Sequence, residues 1–151
     1  MDFVDIIDGV YVRDLRLITN PKGSVREFVR RDDPDFPGFG QVHIVETMPG
    51  IVRAWFRHYR QFDQLSCIRG KVRVGLYDDR PDSPTLGASM DFVIDADKPV
   101  VVGIPPMVWH GFATAGEVPS VLVQHNNQAF NHGQPDEEKR PHDANGFPIV
   151  W

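Results

Sequence analysis

Apolar and polar residues alternate along much of the chain, in short runs separated by glycine and proline. In residues 71–77 (Lys-Val-Arg-Val-Gly-Leu-Tyr), Val72, Val74 and Leu76 alternate with more polar neighbours. A period of two places successive side chains on opposite faces of a β-strand, so one face of this strand is expected to be buried. Residues 53–58 are expected to behave in the same way, with Arg53, Trp55 and Arg57 opposite Ala54, Phe56 and His58.

Runs of β-branched and aromatic residues predict an all-β fold with hardly any helix. Many short strands with regular turns suit a sandwich or a barrel, and closing a barrel hides the strand edges. Residues 80–85 are expected to form a long, ordered turn between strands, and the polar tail over residues 131–148 is expected to be extended chain lying over the barrel. The predicted strands are residues 10–15, 25–30, 41–47, 51–58, 65–69, 71–77, 90–94, 100–104, 109–114 and 120–125.

Chain length and net charge limit the number of domains and the kinds of partner that can be expected. A chain of 151 residues and 17.1 kDa is expected to form one domain over residues 1–151. Its 16 Lys and Arg against 21 Asp and Glu give no basic footprint, so neither nucleic acid nor a membrane is expected as a partner. The single Cys67 excludes an internal disulfide. Residues 1–5 do not resemble a leader and no long apolar run occurs, which predicts a cytoplasmic protein.

Two motifs predict that three polar side chains meet inside the barrel. The first cupin motif, G-x5-H-x-H-x4-E-x6-G, is matched in spacing but not in every residue type, and so is the second, P-x-G-x2-H. Because side chains two positions apart share a strand face, His58, Asp63 and His110 are predicted to share the interior. The matching positions are Gly50, Phe56, His58, Asp63 and Gly70 for the first motif, and Pro105, Met107 and His110 for the second.

Three interpretations of His58, Asp63 and His110 stay open at the sequence level. Two His and one carboxylate resemble the facial triad of non-haem iron sites and could also hold Zn, Mn or Ni. Phe56 stands where the motif has its first His, so this set lacks one of the usual ligands. In a metal-free pocket the same residues could move protons, with Asp63 orienting the ring of His58. They could also be interior residues that only form hydrogen bonds.

Over almost its whole length the chain resembles the dTDP-4-dehydrorhamnose 3,5-epimerase family. Seven of the family's segments occur here in order. They are Asn-Pro-Lys-Gly-Ser-Val-Arg-Glu at residues 20–27, Gln-Val-His at 41–43, Gly-Ile-Val-Arg-Ala-Trp-Phe at 50–56, Arg-Gly-Lys-Val at 69–72, Asp-Asp-Arg-Pro-Asp-Ser-Pro-Thr at 78–85, Ile-Pro-Pro-Met-Val-Trp-His-Gly-Phe at 104–112, and the terminal element from Asp143 to Trp151.

The resemblance implies a jelly-roll barrel, a homodimer and no required cofactor. It also implies proton removal beside the C4 ketone of a nucleotide-linked 4-keto-6-deoxy sugar, with reprotonation from the other face. The family's base His falls on Phe56, its Lys on Asp63 and its acid Tyr on Phe130, whereas Asp143 and His110 are retained. A phenyl ring cannot exchange a proton. His58 is therefore the candidate for a relocated base, and the predicted catalytic set is His58, Asp63, His110 and Asp143.

The ligand-holding positions are better retained than the catalytic ones. By resemblance, Lys22, Glu27, Gln41 and Arg53 contact the nucleotide diphosphate and base, and His43 replaces an Asn of that set. Phe56 and Phe130 complete the predicted substrate-binding residues. The leading hypothesis is a divergent epimerase or isomerase that binds a nucleotide sugar or a related polar ligand. The alternatives are a metal-dependent cupin with His58, Asp63 and His110 as ligands, and a cupin that binds a ligand without catalysis.

Overall fold

A computed structural model describes residues 6–151 and is all β, without a helix in that range. The expectation about a leader concerns residues 1–5 and lies outside the described part of the chain. Nowhere in residues 6–151 is there a helix that is long and apolar enough to span a membrane. The strands are β1 (Tyr11–Asp14), β2 (Arg16–Asn20), β3 (Gly23–Glu27), β4 (Gln41–Thr47), β5 (Val52–Arg57), β6 (Asp63–Arg69), β7 (Lys71–Tyr77), β8 (Ser89–Asp95), β9 (Val100–Ile104), β10 (Trp109–Thr114), β11 (Ser120–Asn126) and β12 (Glu138–Lys139).

Two five-stranded antiparallel sheets face each other and form the barrel. The first sheet has the order β1-β9-β6-β11-β4, and the second has the order β12-β5-β10-β7-β8. This confirms the predicted double-stranded β-helix of the cupin or jelly-roll type. Because β4 and β6 flank β11, inward residues of all three strands face β5 and β10 across the barrel.

The alternation of residues explains which side of each strand is buried. Val72, Val74 and Leu76 of β7 are almost completely buried and pack into one apolar cluster with side chains of β6 and β9. At 25 cal/mol per Å², burying one such side chain contributes roughly 1.5–3 kcal/mol. The cluster fills one part of the barrel and leaves the part between β4, β11, β5 and β10 free for a pocket.

The alternation predicted for residues 53–58 is wrong across Arg53. The register between β5 and β10 pairs His110 with Phe56 but Phe112 with Arg53, so β5 contains one extra residue at a bulge. A bulge reverses the facing of the residues beyond it. Arg53 consequently lies on the pocket side with Phe56 and His58.

The C-terminal segment packs on the outer face of the second sheet. Trp55 stacks on Phe147 with ring centroids 4.5 Å apart, and Trp151 lies 5.3 Å from Trp55. A Cβ atom on Gly75 or Gly111 would lie only 2.8 or 2.7 Å from the ring of Trp151. Glycine at these two positions therefore permits the C-terminal segment to lie against the outer face of this sheet.

Strands β2 and β12 were not predicted from the sequence. Every residue of β2 is exposed, so the strand has no buried face to produce an alternating pattern. It pairs only with β3, in a hairpin that is separate from the two large sheets. Strand β12 is two residues long and lies within the polar tail.

Candidate functional site

A pocket of about 380 Å³ lies between the two sheets. Strands β4 and β11 of the first sheet form one wall of the pocket, and strands β5 and β10 of the second sheet form the other wall. Seven of the predicted site residues line it: Gln41, His43, Arg53, Phe56, His58, His110 and Phe130. Most of the predicted site is thus brought together inside the barrel.

Asp63 lies at the centre of a buried hydrogen-bond cluster behind this lining. Its Oδ1 accepts hydrogen bonds from Gln61 Nε2 and Asn126 Nδ2, both at 2.6 Å. Its Oδ2 lies 3.3 Å from Nε2 of His58 and 3.4 Å from Nε2 of His110. Burial alone would raise the pKa of Asp63, but the contacts with His58, His110 and Gln61 outweigh it and hold the pKa below its ordinary value. Asp63 is therefore a carboxylate.

His58 is held between a carbonyl and this carboxylate. Its Nδ1 lies 2.7 Å from the backbone oxygen of Asp136, and because a carbonyl only accepts, we assign a proton to Nδ1. Its Nε2 faces Asp63. Burial lowers the pKa of His58, yet the hydrogen bond to Asp63 and the negative charge there outweigh burial, so the net shift is upward. The imidazolium form of His58 is stabilised.

His110 has the opposite electrostatic character. Its Nδ1 lies 3.1 Å from the backbone oxygen of Val108, and the side chain is almost completely buried. Burial lowers the pKa of His110 to about 4; Asp63 opposes this shift and the charge of His58 adds to it. The two rings lie 5.3 Å apart, one stabilised as a cation and one neutral. The environments of the two rings therefore shift their pKa values in opposite directions, which suits one ring to carry a charge and the other to stay neutral.

Asp136 contacts the candidate site, although the sequence did not reveal it. Besides the carbonyl contact with His58, its carboxylate accepts backbone hydrogen bonds from Tyr59, Arg60 and Gln61, each at 3.0 Å. These bonds fix the segment that carries His58. No motif marks Asp136, because it lies in the polar tail and reaches the site only through folding. Gln124 and Asn126 were also missed, although two polar residues spaced two apart on one face of β11, directly after the apolar residues 121–123, could have indicated a polar site.

Arg53 reaches the pocket with a positive charge that no carboxylate of residues 6–151 neutralises. Its Nε donates to the hydroxyl of Thr47 and its Nη2 to the backbone carbonyl of Glu46, both at 3.0 Å. Arg57, in contrast, is paired on the outer face with Glu138 at 2.7 Å and Asp79 at 3.0 Å. Arg53 is thus the arginine that is available to an anionic ligand.

Three predicted site residues lie away from this pocket. Lys22 is exposed in the turn of the β2–β3 hairpin, and Glu27 ends β3, 3.6 Å from Arg30. Asp143 is exposed in the C-terminal segment and is not part of the pocket lining. Asp63, and not Asp143, is the carboxylate that contacts His58 and His110.

The cluster also has the donor chemistry of a divalent metal site. His58, Asp63 and His110 each offer one ligand atom, and these atoms lie within 4.8 Å of one another. Both rings hold Nδ1 against a backbone carbonyl, which is how metal-bound His is commonly oriented. Two nitrogens and one carboxylate oxygen fit a metal ion that keeps open positions.

The two facing sheets and the pocket between them are those of a cupin of the dTDP-4-dehydrorhamnose 3,5-epimerase type. Residues 18–138 match the model of the family described as polysaccharide biosynthesis C-terminal domain, and the chain belongs to that family.

Two relatives match nearly end to end. The probable low-salt glycan biosynthesis epimerase Agl13 of Haloferax volcanii is 38% identical over 152 residues, covering 96% of this chain and 94% of the relative. The spore coat polysaccharide biosynthesis protein SpsL of Bacillus subtilis is 33% identical, covering 97% of both chains. The first relative is thus described as a probable epimerase of glycan biosynthesis, and the second as a protein of polysaccharide biosynthesis.

Solved structures agree with this placement. The crystal structure of a dTDP sugar isomerase from Desulfovibrio desulfuricans superimposes with a TM-score of 0.92 at 31% identity, covering 99% of this chain and 95% of the other. The dTDP-4-dehydrorhamnose 3,5-epimerase of Elizabethkingia anophelis has a TM-score of 0.82 at 19% identity, over 96% and 82% of the two chains. At that identity the second comparison supports the fold.

Proposed function

We propose that this protein is an epimerase or isomerase of a nucleotide-linked 4-keto-6-deoxy sugar, such as a dTDP sugar. The observation that carries the proposal is the His58–Asp63–His110 cluster, which faces the barrel pocket and combines one stabilised cation with one neutral ring. Proton removal beside a ketone needs a base whose pKa lies near the working pH. His58 meets this requirement better than His110, whose pKa is about 4.

In the proposed reaction, neutral His58 accepts a proton from the carbon next to the ketone. Asp63 stabilises the imidazolium that forms and keeps the ring oriented. The side-chain amide of Gln124, which lines the same pocket, is a neutral donor for the enolate oxygen. Arg53 provides the charge for the diphosphate, and Phe56, Phe112 and Phe130 provide apolar contact area for the sugar and base.

Solvent exchange tests the proposed chemistry directly. We would incubate the protein with dTDP-4-keto-6-deoxyglucose in D2O and follow loss of the proton signals beside the ketone by NMR. His58→Gln is expected to slow exchange by about 100-fold or more, since a general base contributes at least that much. His142→Gln, in the exposed tail, is the matched control.

Binding of dTDP, measured by calorimetry, separates lost chemistry from lost folding in the His58 variant. Absence of exchange in the wild-type protein with both dTDP- and UDP-linked ketosugars would contradict the proposal. Nucleotide binding without exchange would favour the non-catalytic cupin instead.

A homodimer and a cytoplasmic location belong to the same proposal. The β2–β3 hairpin exposes Leu17, Ile18 and Val25, and the edge strand β4 exposes Val42 and Ile44 by 52% and 67%. Apolar strands of this kind are usually covered. A second copy of the chain would cover these strands. Lys22 and Glu27, the predicted ligand contacts on the hairpin, could then reach the pocket of the partner subunit. Sedimentation should show a dimer that Ile44→Asp converts to monomer.

A metal-dependent cupin is the second candidate, because both His rings are oriented as metal ligands commonly are. His58, Asp63 and His110 would hold the ion, which would supply Lewis-acid or redox chemistry. Elemental analysis of protein purified without chelators or a metal-affinity column decides between the two. Near-stoichiometric metal that disappears in His58→Ala supports the metal site; metal-free protein with exchange activity supports the proton-transfer site.

A further inference from the structure

The proton-handling groups described so far lie together on one part of the pocket wall. Ligand atoms of His58, Asp63 and His110 lie within 4.8 Å of one another, so they form a single proton-handling cluster. Inverting a carbon centre requires the second proton to arrive from the opposite face. The position that resembles the family's acid is Phe130, which has no proton to give.

His43 lies on a different part of the pocket wall. It projects from β4, in the sheet facing β5 and β10, and it lines the pocket. Strand β11 separates β4 from β6, which carries Asp63, and His43 pairs with Gln124 of β11. Because neighbouring strands lie about 4.8 Å apart, β4 and β6 are about 10 Å apart. His58 follows β5 in the facing sheet, so His43 and His58 enter the pocket from opposite walls, which is the arrangement needed for two groups that flank one reacting carbon at about 3–3.5 Å on each side.

The ring of His43 is not committed to any neighbour. Its Nδ1 is buried and has no hydrogen-bond partner among residues 6–151. In His58 and His110 the same atom is fixed on a backbone carbonyl. Buried polar groups are normally satisfied, and an exception calls for an explanation. A free imidazole in a ligand pocket can present either a donor or an acceptor to the ligand.

Phe130 lies close to His43 on the same wall. The backbone N–H of Phe130 donates to Oε1 of Gln41 at 2.9 Å, and Gln41 is two residues from His43 on the same inward face of β4. The position that resembles the family's acid is therefore next to the strand that carries His43. The Asn-to-His change at residue 43 introduces a proton donor where the Tyr-to-Phe change at residue 130 removes one.

We propose that His43 is the proton donor on the face of the sugar carbon opposite to His58. This inference rests on the proposed function and assigns one of its steps. His58 takes the C–H proton, an enolate forms, and protonated His43 delivers a proton to the other face of the same carbon. The C–H bond broken on one face is replaced by a C–H bond on the other; His58 ends with one proton more and His43 with one fewer. Exchange with solvent restores both rings.

Exchange and inversion can be measured separately to test this. We would follow wild type, His43→Asn and His58→Gln with a dTDP-linked ketosugar in D2O, recording deuterium uptake and formation of the inverted sugar by NMR. His43→Asn restores the residue that the resembling family has, so it keeps a polar side chain suited to ligand contact. In this variant, inversion should fall by about 100-fold or more relative to deuterium uptake. His58→Gln should lose both.

The possible outcomes separate this inference from the proposed function. Inversion by His43→Asn at the wild-type rate overturns the role of His43 and leaves the function intact. Equal loss of uptake and inversion in His43→Asn, with dTDP binding weakened, also overturns it, because His43 then only holds the ligand. Wild-type protein that takes up no deuterium overturns both. Uptake without inversion in His43→Asn supports the inference, provided that its thermal unfolding matches wild type.

Discussion

Nε2 of His58 lies 3.3 Å from Oδ2 of Asp63, and this contact sets the charge of the ring. Burial by itself lowers the pKa of His58, whereas the hydrogen bond and the charge of Asp63 raise it above 6.5 overall. His58 must be neutral to accept a proton, so the exchange rate should rise with pH through a pKa above 6.5. Deuterium uptake measured as a function of pH gives this rising limb of the pH–rate profile.

Asp63→Asn should move the same limb to lower pH. Without the carboxylate, only the carbonyl of Asp136 and the charge of Glu137 still oppose burial, so the pKa of His58 falls relative to wild type and the neutral ring persists into more acidic solution. The maximum rate should fall as well, because the amide no longer stabilises the imidazolium. An unchanged limb in this variant would assign the titration to another group.

Asp136 is expected to act on catalysis through the segment it holds. Its carboxylate accepts three backbone hydrogen bonds from residues 59–61. Asp136→Ala should reduce kcat by about tenfold, equivalent to about 1.4 kcal/mol, with a smaller change in KM. The matched control is Asp143→Ala, an exposed carboxylate outside the pocket lining, which should leave both constants near wild type. The reverse ranking would restore to Asp143 the role that the family resemblance implies.

Asp78 should make stability depend on pH in the acid range. Its side chain is fully buried and accepts hydrogen bonds from Arg80, Ser83 and Thr85 at 2.6–3.0 Å. Burial opposes ionisation, but these bonds outweigh it and hold the pKa of Asp78 well below 3.8. A lowered carboxylate pKa stabilises the folded state above the unfolded pKa, and this stabilisation is lost as pH falls through the folded pKa.

Asp78→Asn tests this contribution. The free energy of unfolding in urea at pH 7 should fall by about 3 kcal/mol, since a buried ion pair loses one partner. The variant should also depend less on pH below 4. Asp82→Asn, an exposed carboxylate in the same turn, should match wild type. Equal stability of the two variants would show that the turn does not depend on Asp78.

Phe56→His tests whether the pocket is remodelled. Phe56 pairs with His110 across β5 and β10, and their rings lie 6.4 Å apart. If His58 already serves as base, a further imidazole beside this cluster adds little, and deuterium uptake should stay close to the wild-type rate. A gain of about 100-fold or more, the scale of a missing general base, would instead identify Phe56 as a lost catalytic position.

The fold could be predicted because burial leaves a pattern in the chain. The alternation in β7 and the spacing from Gly50 to Gly70 predict the barrel and bring His58 to Asp63. The bulge in β5 could not be predicted, since one extra residue leaves no trace in composition. The strand face predicted for Arg53 was therefore wrong. The contact of Asp136 with His58 could not be predicted for another reason, because the two residues are 78 positions apart along the chain.

The shared inward facing of Phe56 and His58 bears on how such proteins diverge. On a strand, a side chain can be replaced by another two positions along and still face the same cavity. A comparison made position by position counts Phe56 as the loss of an essential group, although an imidazole is present one step of the pleat away. The activity of family members that lack a catalytic residue in an alignment is therefore better judged from the side chains that reach the cavity than from the residue type at one aligned position.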